Sequence, residues 1–172
     1  YGHPSSYFTQ VELNGYPIYT YSIFEGMKAA IVSTPQPVFV PDAKVLLEMC
    51  AWPVPAGFPS PAADHTQKRI DLNDHLIRNK EATFIFKVKG DSMIGAGIFE
   101  GDALVIDRSI EAKHGNIVLA VLNNEFTIKR LYRRGGVIKL VPENKIYPPI
   151  VVKDGEELLI WGVVTYNLHK LY

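Results

Sequence analysis

Hydrophobic and polar positions alternate through most of the second half of the chain, with a period of two that fits half-buried strands rather than helices. The segments Thr83–Lys89, Ala103–Asp107, Asn116–Leu122, Glu125–Tyr132, Val137–Val141, Ile150–Val152 and Leu158–Asn167 are rich in Val, Ile, Phe and Tyr, which favour a pleated surface. Asn123-Asn124 and Gly135-Gly136 separate four of them in pairs and predict tight hairpin turns. A mainly β domain is therefore expected after residue 57, with one helix from about Asp71 to Arg78 that buries Ile70, Leu76 and Ile77.

The first third reads differently. Phe8–Leu13 and Tyr16–Tyr21 flank Asn14-Gly15, a strong hairpin signal, and Pro17 marks the second strand as an edge. Asp42 as an N-cap predicts about two helical turns up to Met49. Between 52 and 64, Pro53, Pro55, Pro59 and Pro61 fix φ and disfavour helix at the residues before them. That stretch predicts an extended, exposed linker, the backbone form that proteases bind. The expected organisation is an N-terminal arm over 1–55, a Pro-rich linker over 52–64, and a compact domain over 65–172.

Composition narrows the function classes. Eighteen basic residues balance eighteen acidic ones over 172 residues, so no whole-chain field draws in nucleic acid. Residues 1–56 carry a net charge of −2 and no pair of amphipathic helices, which argues against a DNA-gripping arm. Five of the nine tyrosines fall within the first 21 residues, too aromatic for a free tail. That segment is expected to fold back on the domain or across a dimer partner. The lone Cys50 allows no internal disulfide and points to a reducing, cytoplasmic compartment. The longest apolar run, Leu158 to Val164, is too short to cross a bilayer. Because the sequence starts at Tyr1 rather than Met, residues are expected to precede it. His3, His65, His75, His114 and His169 lack ligand-like spacing, so neither metal nor cofactor is expected.

Candidate chemistry lies in two segments. Lys89-Gly-Asp-Ser-Met93 puts Ser92 on a turn after a strand, where Gly90 permits unusual φ and the backbone N–H groups of Asp91 and Ser92 can converge as an oxyanion hole. Glu125-Phe-Thr-Ile-Lys-Arg-Leu131 puts Thr127, Lys129 and Leu131 on one strand face and Phe126, Ile128 and Arg130 on the other. An ordinary lysine, with a pKa of about 10.4, is almost wholly charged near neutrality and is a poor base. Burial among apolar groups lowers that pKa. Alone, Ser92 reads more readily as a turn residue and Lys129 as a side chain reaching solvent than as catalytic groups. Asp91, Asp102 and Asp107 read as turn and capping residues, and Trp161 and Val163–Tyr166 as core or dimer interface.

These motifs resemble the LexA/UmuD family of Ser–Lys autoproteases (peptidase S24), most closely its UmuD branch, over about 57–168. Ala56-Gly-Phe-Pro-Ser-Pro-Ala-Ala-Asp64 is similar to that family's cleavage region, Gly90-Asp-Ser-Met93 to its nucleophile motif, and Glu125–Leu131 to its lysine strand. Ser92 and Lys129 stand 37 positions apart, and Gly101–Asp107 and His114–Val118 fall where the family has similar segments. The resemblance implies Ser92 as nucleophile, Lys129 as general base and Ala56–Gly57 as the bond cut. It further implies a homodimer of the DNA-damage (SOS) response, stimulated by a RecA filament on single-stranded DNA. After trimming, that dimer would serve as accessory subunit to a UmuC-like Y-family polymerase in translesion synthesis. Two other readings stay open: a LexA-like SOS repressor inactivated by self-cleavage, and a protease acting on other proteins.

Overall fold

The computed structural model describes residues 7–13, 16–22, 46–50, 67–153 and 155–172. They fall into two units: the residues before 39 with those from Asn79 onward, and those between Phe39 and Arg78. In the smaller unit, β3 (Leu46–Cys50) pairs antiparallel with β4 (Gln67–Asp71). The helix expected up to Met49 is thus replaced, over its described part, by a strand. Pairing with a distant segment supplies the backbone partners that about two isolated turns would lack.

Helix α1 (Leu72–Leu76) falls inside the span expected for it but is shorter. Asp71 caps it, its carboxylate accepting from Asn73 N–H at 2.9 Å. The expected buried stripe does not form: none of the helical residues is buried, and Ile70 belongs to β4.

The larger unit is built on a nine-stranded antiparallel sheet. Its path runs β1 (Tyr7–Leu13), β2 (Tyr16–Ser22), β11 (Leu158–Leu168), β7 (Ile117–Leu122), β8 (Glu125–Arg134), β9 (Val137–Val141) and β10 (Ile150–Val151). The remaining strands, β5 (Thr83–Lys87) and β6 (Ala103–Asp107), pair with each other, and β6 also pairs with β11. The predominantly β reading holds, and the seven strands expected beyond residue 82 all form with ends shifted by two residues or fewer. Asn123 and Asn124 both take positive φ, as do Gly135 and Gly136, the geometry whose twist suits a two-residue hairpin.

The Asn14-Gly15 turn lies outside the described residues, but β1 and β2 pair around it in the register a two-residue loop requires. Strand β2 is not the edge that Pro17 predicts. It lies between β1 and β11, and β1 is outermost. Pro17 is tolerated because β11 meets only Tyr19–Tyr21, leaving the position without an N–H beyond that ladder.

Two strands organise the core. Strand β7 is apolar throughout: Leu119 and Val121 enter one cluster with Phe84, Met93, Leu104, Ile106 and Trp161, while Val118 and Ala120 enter another with Leu131, Leu140 and Ile160. A continuous apolar run is what a strand covered on both faces requires. Trp161 belongs to the core, edge-on to Phe84 and Phe86 with ring centroids at 4.9 and 5.0 Å.

Strand β11 gives one edge to β7 and shares the other between β2 and then β6, its register shifting between Ile160 and Gly162 and again between Val164 and Tyr166. Gly162 sits at the first shift because space demands it: a Cβ there would stand 2.7 Å from Ile106 Cγ2 and 3.2 Å from Asp107 O. Gly162→Ala is expected to cost about 1–3 kcal/mol by overpacking. A fall in the urea midpoint with an unchanged slope is the measurement that checks it.

Candidate active site

The chain leaves β5 at Lys87 and returns to the sheet at β6, and the loop between them is closed at its base. Val88 N–H donates to Asp102 O at 2.9 Å, and Gly101 N–H donates to Val88 O at 3.0 Å. Within this loop Gly90 takes φ +88°, the left-handed region that glycine tolerates best. Ser92 follows, half-buried. Met93, 3% exposed, anchors the turn in the core cluster of Phe84 and Trp161, and the 3₁₀ turn Ile94–Ala96 comes next. Burying a Met side chain is worth about 1.5–3 kcal/mol, which fixes the turn to the sheet.

A second loop, after β9, holds this turn from outside. Glu143 N–H donates to Ser92 O at 2.9 Å, and Glu143 O accepts from Gly95 N–H at 2.7 Å. The approach is so close that a Cβ on Gly95 would stand 2.2 Å from Glu143 O. Asn144 Nδ2 donates to Asp91 O at 3.1 Å, and Tyr147 Oη donates to Asp91 Oδ1 at 2.5 Å. That hydrogen bond, then the carboxylate charge, and then burial push the Tyr147 phenol above its ordinary pKa. Among the described residues, the backbone N–H groups of Asp91, Ser92 and Met93 have no protein acceptor.

Lys129 comes from β8, opposite Val118 of the covered strand β7, and is 9% exposed. Its Nζ donates to Ser92 Oγ at 2.8 Å, Ile128 O at 2.9 Å and Thr127 Oγ1 at 3.0 Å. No carboxylate pairs with it among the described residues, and burial lowers its pKa. Three partners surround an amine. A neutral lysine carries two N–H bonds and one lone pair, so it can donate to the carbonyl and to Thr127 while accepting from the serine O–H.

The structure thus brings Ser92 and Lys129 together, while Ala56 and Gly57 lie outside the described residues. Sequence reasoning missed Thr127, Ile128 O and the 143–147 loop. Thr127 carried a signal, since positions two apart share a strand face. Glu143, Asn144 and Tyr147 carried none.

Asp102 and Asp107 meet neither Ser92 nor Lys129. Asp107 accepts from Ser109 N–H and its hydroxyl at 2.7 and 2.6 Å. Asp102 accepts from Phe99 N–H and Asn167 Nδ2, both at 2.8 Å, and pairs with His169 Nδ1. Its burial raises the pKa, but the hydrogen bonds from Phe99, His169 and Asn167 and the charge of His169 outweigh it, giving a net lowering. Among the described residues no group of three or more His, Cys, Asp and Glu side chains could hold a metal ion.

A family model described as Peptidase S24-like matches residues 49–165. The chain is similar to protein MucA of Salmonella typhimurium, 44% identical over 116 residues that cover 67% of this chain and 79% of that protein. It is likewise 44% identical to protein SamA of Salmonella typhimurium (strain LT2) over 128 residues, covering 74% and 86%. A LexA repressor of Bordetella avium is 37% identical over 141 residues, covering 79% of this chain and 65% of the repressor.

Because burial disfavours the ammonium, a nitrogen-detected titration of Lys129 is expected to show a midpoint below the ordinary value of about 10.4. A midpoint at or above that value would mean that the amine is solvated.

Proposed function

The chain belongs to the Peptidase S24-like family, and we propose that it is a self-cleaving serine endopeptidase that cuts its own Ala56–Gly57 bond through a Ser92–Lys129 dyad. The observation that carries the reading is the 2.8 Å contact between Lys129 Nζ and Ser92 Oγ, made by a lysine whose pKa burial lowers.

Neutral Lys129 holds its two N–H bonds on Ile128 O and Thr127 Oγ1, which leaves the lone pair for the Ser92 hydroxyl. The Oγ proton moves to Nζ as Oγ bonds to the carbonyl carbon of Ala56, and the carbonyl π electrons move to oxygen. The backbone amides of Asp91 and Ser92 receive that oxyanion, with Met93 N–H as a neighbouring donor. Each such donor is worth about 10²–10³ in rate where one has been removed elsewhere. As the intermediate collapses, the C–N bond breaks and Lys129 returns the proton to the Gly57 nitrogen. Water then attacks the Ala56 acyl-enzyme, giving its proton to Lys129, and Ser92 leaves with that proton. Small residues on both sides of the bond suit a narrow site, and the flanking prolines restrict which register of the linker enters it.

In this reading the protein acts in the SOS response as a cytoplasmic homodimer. A RecA filament on single-stranded DNA stimulates the cut, and the trimmed dimer serves a UmuC-like Y-family polymerase in translesion synthesis. The UmuD-type motifs support this, as do the 44% identities to MucA and SamA. No described helix is long and apolar enough to cross a membrane. A second reading, a LexA-like repressor inactivated by self-cleavage, is favoured by the similarity to the Bordetella avium LexA repressor. The acidic balance of residues 1–56 weighs against it. Salt-dependent DNA binding that disappears when residues 1–55 are removed would select the repressor.

Incubation of the full chain at rising pH, with and without RecA filament, followed by fragment mass measurement, tests the mechanism. The reactive amine is the neutral one, so the rate is expected to rise with pH and to level off above the lowered pKa of Lys129. The expected product begins at Gly57. Both Ser92→Ala and Lys129→Ala are expected to abolish cutting, and fragments from the Ser92→Ala protein would sink the proposal.

A further inference from the structure

We infer that Arg130 and Glu143 form a positioning pair that sets where Ser92 stands relative to Lys129. The inference rests on the catalytic reading above and asks what keeps the two residues in register. Lys129 and Arg130 are consecutive in β8, and strand alternation sends them to opposite faces. On its face, Arg130 Nη1 donates to Gly115 O at 2.6 Å, and Nε donates to Glu143 Oε1 in an ion pair. Two groups on one planar guanidinium leave the glutamate side chain little freedom.

Glu143 passes that placement to the nucleophile through its backbone rather than its carboxylate. Its N–H donates to Ser92 O, and its carbonyl accepts from Gly95 N–H, so it grips the turn on both sides of Met93 and Ile94. The fit depends on Gly95, whose missing Cβ leaves room for Glu143 O. A short path therefore links base to nucleophile: Lys129, the peptide to Arg130, the ion pair, the Glu143 backbone, Ser92.

Arg130 and Glu143 side chains are 38% and 28% exposed, so solvent screens the charge attraction and the pair adds little to stability. Geometry is what it supplies. A displacement of about 1 Å between reacting groups can cost about 10²-fold in rate. Among the described residues the pair makes no hydrogen bond to the Lys129 amine, so it is expected to act on rate through geometry.

The test is the self-cleavage rate of the full chain across pH for Arg130→Met, Glu143→Gln and the double variant, with urea unfolding of each. Each single change is expected to lower the high-pH plateau about tenfold or more. The double variant is expected to be no slower than the slower single, because the two act as one unit. The pH midpoint is expected to match the parent, since the burial of Lys129 is untouched. A purely structural role would lower the urea midpoint and leave the plateau of folded protein alone. Plateaus within about twofold of the parent, or a double variant slowed by the product of the two singles, would overturn the pairing. Should Arg130→Met fail to fold, the near-isosteric Glu143→Gln carries the same comparison. A parent chain that never cuts, or a Ser92→Ala chain that does, instead strikes the catalytic reading.

Discussion

A buried lysine is costly, and much of this fold is arranged around one that has no carboxylate partner among the described residues. Lys129 is desolvated because β8 lies between β7 and β9, with Val118 opposite it and the Ser92 turn over its amine. Burial supplies what the proposed chemistry needs, an amine that loses its proton more readily than a solvated one. The same burial means that the Nζ must be hydrogen-bonded. Ile128 O, Thr127 Oγ1 and Ser92 Oγ together meet that requirement.

The sheet makes this possible by being covered on both faces. With β7 apolar on each side and β11 bulged at Gly162 to pass Ile106 and Asp107, strands β5 to β9 form a packed platform. The nucleophile turn is attached to that platform from three directions: its base through Val88 and Asp102, its underside through Met93, and its outer rim through Glu143 and Asn144. A serine on a loose loop would meet the amine only occasionally. One held on three sides meets it as part of the resting structure.

Much of the sheet was legible because alternation is local: β6 and β9 have the bounds that their sequences predict, and paired Asn and Gly residues announce their turns. Where pairing is non-local the sequence misleads. Leu46–Cys50 is a strand because Gln67–Asp71 lies beside it, and β2 can be an inner strand despite Pro17 because β11 meets only Tyr19–Tyr21. The site divides in the same way. Ser92 and Lys129 sit in recognisable motifs, and Thr127 shares a face with the lysine. By contrast, the residues from Glu143 to Tyr147 lie in an irregular loop with no period, and their partner, the Ser92 turn, is about fifty residues earlier. Only a folded chain reveals that contact.

The central claim is that the amine of Lys129 removes the proton from Ser92, and one comparison tests it most directly. The titration midpoint of Lys129 Nζ, observed directly in Ser92→Ala, is set against the midpoint of the pH–rate curve for self-cleavage of the parent under the same conditions. The account predicts two lowered midpoints that agree to within the small change expected from losing the serine hydroxyl. A cleavage midpoint that stays well apart from the lysine titration, or a rate independent of pH across it, would contradict the account.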